Sequence, residues 1–180
     1  MANQEVKTSE QAPVATESVG MSAREAEANI VVRNHMLGAM AVGLIPVPAV
    51  DLVGIAAVNL KMLHGLSKTY ELPFTNDLGK SVLASLSSAV GAELASRLLT
   101  AGVTKLFPGI GSLIGAVAMP ISAGATTYAV GKIFIQHFES GGTLLTFDAA
   151  KIREFFKAKY KEGVALATQL KSEQPKVKSA

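Results

Sequence analysis

Leu106 to Gly131 reads LFPGIGSLIGAVAMPISAGATTYAVG, 26 residues without an Asp, Glu, Lys or Arg. About 20 apolar residues suffice to carry a helix across a bilayer, so the run is long enough to do so. It is also crowded with small residues, among them Gly111, Gly115, Ala118, Ala123, Gly124 and Ala125. Small side chains let helix backbones come close, which favours packing on other helices over solitary exposure to lipid. The stretch predicts an embedded or spanning helix from about Ile110 to Phe138, kinked or split by Pro120, whose ring and missing N–H disturb the ladder.

Working outward, no run alternates apolar and polar residues as a half-buried strand would, and Ala, Leu and other small residues dominate. The spacing predicts an all-α fold: a five-helix bundle built from two proline-turned helical hairpins plus a C-terminal amphipathic helix. The first helix is expected from about Ser22, capped by the Ser22–Glu25 pair, to Leu44. It ends at Ile45-Pro46-Val47-Pro48, because Pro46 disfavours helical geometry at Ile45. The second spans about Ala49 to Tyr70, with Pro48 suited to its first turn and a stripe of Leu52, Ile55, Val58 or Asn59, Met62, Leu63 and Leu66. The third spans about Asn76 to Lys105, capped by Asn76 or Thr75. Pro108 and Gly109 form the next break. The fifth spans about Phe147 to Leu170 with Thr146 as a candidate cap.

Residues 1–20 are polar and Pro-containing and read as a disordered tail, as do 172–180. Between them the reading places one helical domain over 21–145 and a basic amphipathic helix over 146–171. Residues 1–20 hold no apolar core of a secretory signal. Charged residues make up only 17% of the 180-residue chain, below the roughly 25% of a typical soluble domain. With a mean hydropathy of +0.34, the balance leans towards membrane association. The net charge of +3 suits an anionic lipid surface better than nucleic acid, since no dense Lys/Arg cluster interleaved with aromatics stands outside the last helix. The absence of cysteine removes disulfides and thiolate chemistry.

The chemistry-bearing motifs are few. Gly79-Lys80-Ser81 lacks the glycine five residues upstream that a phosphate-cradling loop needs, since Phe74 stands there. Gly109-Ile110-Gly111-Ser112-Leu113-Ile114-Gly115 misses dinucleotide spacing by one residue and follows no strand. His35, His64 and His137 fall in no ligand spacing and have no acidic pair beside them. The sequence therefore points to a non-enzyme with no cofactor, no metal and no catalytic residue. What it does single out is structural. Pro46, Pro48, Asp51, Pro108 and Gly109 form the turns, with Asp51 placed to face the positive end of the second helix. Gly111 and Gly115 make a GxxxG pair for helix packing. Lys151, Arg153, Phe155, Phe156, Lys157 and Tyr160 form a basic, aromatic face for membrane or partner contact. The first proline turn reads as a tip dipping into lipid. Its preceding arm, from Asn34 on, spans about 16 Å, enough for one leaflet.

Ile45–Leu52 (IPVPAVDL), Lys61–Phe74 (KMLHGLSKTYELPF), Leu106–Ala116 (LFPGIGSLIGA) and Thr126–Phe138 (TTYAVGKIFIQHF) together resemble the YcjF-like, GTPase-associated domain of unknown function, a bacterial family. The resemblance covers about residues 25–140. It implies an all-helical, membrane-associated module without established catalytic residues, and a GTPase as partner in trans, because the chain has no guanine-binding motifs of its own. The expected role is an adaptor or scaffold that recruits a cytoplasmic partner to a membrane or shapes that membrane, at the bacterial inner membrane with cytoplasmic tails. Membrane lipid and a second copy of the chain complete the expected partners. The alternatives are a soluble bundle binding a partner helix or lipid, and a pore-forming hairpin protein.

Overall fold

A computed structural model describes the backbone of residues 14–44, 50–100 and 110–173, and the side chains of 23–44, 53–89, 91 and 119–173. Five α-helices follow one another: α1 (Val14–Val42), α2 (Val50–Thr69), α3 (Asn76–Thr100), α4 (Ile110–Glu139) and α5 (Arg153–Glu173). A 3-10 turn, Ala149–Ile152, precedes α5. Among the described residues there is no strand, so the all-α class holds. α1 begins at Val14, eight residues before Ser22, so Ser22 and Glu25 lie within the helix and form no capping box. Nothing in Val14–Met21 forces a stop, since the segment has no proline and a single glycine.

The charge-free run takes its place here. From Met119 on, α4 is the helix the others surround, packing on α1, α5 and α2. Pro120, Ala123, Gly124, Ala125, Thr127, Ala129, Val130 and Gly131 are all buried. An all-round apolar helix is a buried helix, and in this part the burial is against protein. Among the described residues, no helix is long and apolar enough to cross a membrane. The transmembrane helix expected over Leu106–Gly131 is corrected to that extent. α4 also runs as one helix through Pro120 and is not split there.

Small residues set the helix spacing. A Cβ on Gly43 would stand 3.0 Å from the Pro120 Cα, and one on Gly131 would overlap the Val32 methyls, so α1 and α4 lie close together. A Cβ on Gly54 would stand 2.7 Å from Val42 Cγ1, which ties the start of α2 to the end of α1. The main core gathers Val32, Met62, Leu63, Leu66, Leu86, Phe134 and Phe156 from all five helices. A second cluster joins Met36 and Met40 of α1 to Ala167 of α5.

Two helices end in the same hydrogen-bonded motif. After α2, Leu72 N donates to Ser67 O at 2.8 Å and Glu71 N to Lys68 O at 3.1 Å, with Glu71 at φ 56°. After α4, Gly142 N donates to His137 O and Gly141 N to Phe138 O, both at 2.9 Å, with Gly141 at φ 77°. This is the left-handed cap that glycine fits best. At Glu71 a side chain sits where glycine is favoured, at a steric cost of about 1 kcal/mol. Glu71→Gly is therefore expected to raise the unfolding free energy by about 0.5–1 kcal/mol, read from the urea midpoint.

Candidate functional site

The basic, aromatic α5 is the clearest contact surface in the sequence, and its aromatic half proves to be packing. Asp148, in place of Thr146, caps the approach: its Oδ1 accepts from Ala150 N at 3.0 Å. That bond and Lys151 hold the Asp148 carboxyl below its ordinary pKa. Thr146 instead turns back, accepting from Thr143 N at 2.9 Å. Phe156 is 3% exposed, inside the main core. Phe155 is half-buried against that core, with Lys159 Nζ 5.5 Å from its ring centre. Tyr160 is also half-buried and donates to Ser122 Oγ at 3.3 Å. The outer face carries short-range ion pairs, Lys157–Glu154 at 2.7 Å, Lys159–Glu162 at 2.8 Å and Lys151–Asp148 at 3.3 Å. Exposed pairs of this kind contribute little stability, but they balance the lysines' charge. Arg153 is exposed at the start of α5. Membrane or partner contact through Phe156 is thus corrected, because that ring is buried in the main core.

Pro46, Pro48, Pro108 and Gly109 lie outside the described residues. Asp51 is the second residue of α2 and Gly111 and Gly115 belong to the first turns of α4; their surroundings also lie outside what is described. The glycine contacts that do set helix spacing, at Gly43, Gly54, Gly131 and Gly163, carry no local sequence signal, since each depends on a neighbour from another helix.

One end of the bundle is apolar. The Gly43–Pro120 and Val42–Gly54 approaches bring together the end of α1, the start of α2 and the middle of α4. Leu44, Val53 and Met119 stand there 59%, 71% and 44% exposed. Ala41, Ala56 and Ala57 are exposed beside them. Across residues 34–60 and 119–131, Asp51 is the one Asp, Glu, Lys or Arg in the sequence. The opposite end, where α2 and α4 finish, is charged. Tyr70 OH donates to Glu139 Oε1 at 2.5 Å. Burial first, then Glu139, pushes the Tyr70 phenol well above its ordinary pKa, with Glu25 and Arg24 close enough to act on it.

Beside the apolar end, a cavity of about 300 Å³ lies between α2, α3, α4 and α5. Its walls are mostly apolar, with Leu83, Leu86, Met119, Val130 and Phe156, and its polar members are Asn59, Ser87, Ser122 and Thr126. Asn59 Nδ2 donates to Ile55 O at 3.0 Å, while its Oδ1 is buried without a hydrogen-bond partner. A second cleft, of about 290 Å³, is lined by Arg33, Lys132, Tyr128 and Glu173. There Lys132 Nζ donates to Asn29 Oδ1 at 2.5 Å and lies 5.8 Å from the Tyr128 ring centre. The histidines are engaged structurally. His35 Nδ1 meets Val31 O at 2.8 Å, His137 Nε2 meets Thr143 O at 2.8 Å, and His64 stacks on Phe74 at 4.7 Å. Among the described residues, no group of three or more His, Cys, Asp or Glu is placed to hold a metal.

The family model described as Domain of unknown function (DUF697) matches residues 9–163. The chain belongs to this family. The DUF697 match reaches beyond the region read from the sequence motifs, taking in the 3-10 turn and α5 as far as Gly163, the part that packs across α4. The chain is also 38% identical over 156 residues to Magnetosome membrane protein 22 of Magnetospirillum gryphiswaldense, an alignment covering 87% of this chain and 78% of that protein. No solved structure matches.

Proposed function

We propose that this DUF697 chain is a non-enzymatic scaffold that docks on a membrane through its apolar end and presents its charged end to a cytoplasmic partner. The observation that carries the reading is the gathering of exposed Leu44, Val53 and Met119 at one pole, in stretches whose only charged residue is Asp51. Burying a large aliphatic side chain is worth about 1.5–3 kcal/mol. Three partly exposed ones give about 4 kcal/mol, which corresponds to roughly millimolar affinity. Docking by this pole is thus reversible and shallow. The name of the 38% identical relative, a magnetosome membrane protein, supports the membrane setting.

The resemblance of Ile45–Leu52 and Leu106–Ala116 to GTPase-associated chains supports a GTPase as the recruited partner. In this reading the charged pole around Lys68, Glu71 and Glu139 is the surface it meets, on the cytoplasmic face of a bacterial inner membrane. Small-residue helix faces favour a homo-oligomer on that surface.

Vesicle flotation tests the docking. The wild-type chain is expected to rise with liposomes. The double substitution Leu44→Asp/Val53→Asp is expected to cut the bound fraction at least tenfold, since each change removes an apolar contact and adds a charge to desolvate. Both side chains are more than half exposed, so the circular dichroism spectrum should be unchanged. Equal flotation of the wild type and the variant would refute the apolar pole as the docking surface.

A further inference from the structure

α1 has two faces. One packs inward, where Ala28, Val32, Met36, Ala39 and Met40 are buried in the bundle. On the opposite side of the helix stand Glu27, Ile30, Asn34, Leu37, Ala41 and Leu44, all exposed, with Ile30 at 60% and Leu37 at 36%. The intervals between them are 3, 4, 3, 4 and 3 residues. That alternation is the seven-residue repeat of a coiled-coil seam, with Ile30, Leu37 and Leu44 at d and Glu27, Asn34 and Ala41 at a. A seam of this period keeps one line of side chains against a second helix.

The polar member says which helix that is. Acyl chains give the Asn34 amide no hydrogen-bond partner. An identical helix does so by symmetry, because each amide carries both a donor and an acceptor, and a single asparagine at an a position is a known determinant of register. We propose that α1 pairs in parallel and in register with α1 of a second copy, layering Ile30, Asn34, Leu37, Ala41 and Leu44 each against its counterpart. Parallel pairing places both copies of Leu44 on the same side. Two apolar poles can then dock on one membrane at once, which turns two weak contacts into a bivalent one; this choice of direction rests on the docking reading above. Glu27 closes the seam at its far end, since like charges set directly opposite repel. The strip from Glu27 to Leu44 is about 25 Å long and about 10 Å wide, or about 250 Å² on each copy. A stable interface covers about 800 Å² per partner, so the pair is weak in solution and favoured where docking confines the copies to one surface.

The test uses the full chain in vesicle-free solution, with disulfide cross-linking as the trap for a weak pair. The natural chain has no cysteine. Ala41→Cys is expected to cross-link at least tenfold faster than Ala165→Cys, an exposed position on α5 that reports random collision. An antiparallel pair about Asn34 would hold the two copies of residue 41 about 20 Å apart and remove that difference. Adding Ile30→Glu to Ala41→Cys should lower the cross-linking rate at least tenfold. Glu27→Leu extends the seam by one apolar layer and should raise the self-association constant at least tenfold in sedimentation equilibrium, a gain that a misfolded variant would not give with an unchanged circular dichroism spectrum. Equal cross-linking of Ala41→Cys and Ala165→Cys would overturn the parallel seam, as would a Glu27→Leu variant that associates no more tightly than the wild type. A chain that floats with vesicles without the Ala41→Cys cross-link loses the seam and keeps the docking pole. One that cross-links without floating keeps the seam and loses the pole.

Discussion

Gly163→Leu is expected to lower the unfolding free energy by about 3 kcal/mol, at the upper end of what overpacking a core typically costs. Gly163 is buried where α5 crosses α4. A Cβ there would stand 2.9 Å from both the Cα and the carbonyl oxygen of Ala125, and 3.1 Å from Tyr128 Cδ1. The first two atoms belong to the backbone of the central helix, so neither can rotate away as a side-chain end would. Alanine alone would gain about 1 kcal/mol of helix propensity and lose it again by pushing the helices apart. Leucine adds three more carbons to a space that does not hold the first. Against a total stability of about 5–15 kcal/mol, the loss is large, and a lowered urea midpoint measures it. Gly38 gives the internal comparison: a Cβ added there would meet nothing within 4 Å, so Gly38→Ala should stabilise by about 0.5–1 kcal/mol.

That contrast shows where the sequence stops being legible. The breaks could be read, because proline and glycine act locally: α2, α3 and α4 begin within a residue of the expected positions. The α2 stripe could be read as well, since Met62, Leu63 and Leu66 are fully buried at helical spacing. The destination of an apolar face could not. The Phe155, Phe156 and Tyr160 stripe looks the same whether it meets lipid or α4, because periodicity reports that a face is buried and not what covers it. The same ambiguity governs the charge-free run, whose described part is covered by α1, α2 and α5. Asn59 is legible only as an alternative to Val58 in the stripe. Its burial at 6% exposure depends on neighbours that the α2 sequence does not name. The early start of α1 escapes the sequence for a different reason: a polar, glycine-containing segment is a weak helix former alone, and composition there outweighs the absence of a stop.

The two poles and the cavity form one arrangement. α4 runs from the apolar pole, at Met119, to the charged pole, at Glu139, and its middle supplies Ala123, Thr126 and Val130 to the cavity wall. A scaffold that docks shallowly has to keep its apolar side chains exposed when free in water, and three such side chains are few enough for a stable bundle to carry.

Phe134→Ala is expected to cost about 3–5 kcal/mol and to leave membrane docking intact. Phe134 is fully buried at the centre of the main core. Its ring stacks on Phe147 at 4.7 Å and tilts against Phe138 at 5.7 Å, so truncation opens a cavity and strips the chain before the 3-10 turn of its aromatic anchor. Phe155→Ala, at a half-buried position, should cost about 1–2 kcal/mol, because less area leaves water there on folding. Phe134 lies 15 residues along α4 from Met119, about 22 Å at 1.5 Å per residue, too far to alter the apolar pole directly. Below its lowered melting temperature, Phe134→Ala should therefore float with vesicles as the wild type does, while Leu44→Asp/Val53→Asp keeps its melting temperature and loses flotation. The two variants separate stability from docking. If Phe134→Ala lost flotation while still folded, docking would depend on the whole bundle and not on the exposed pole.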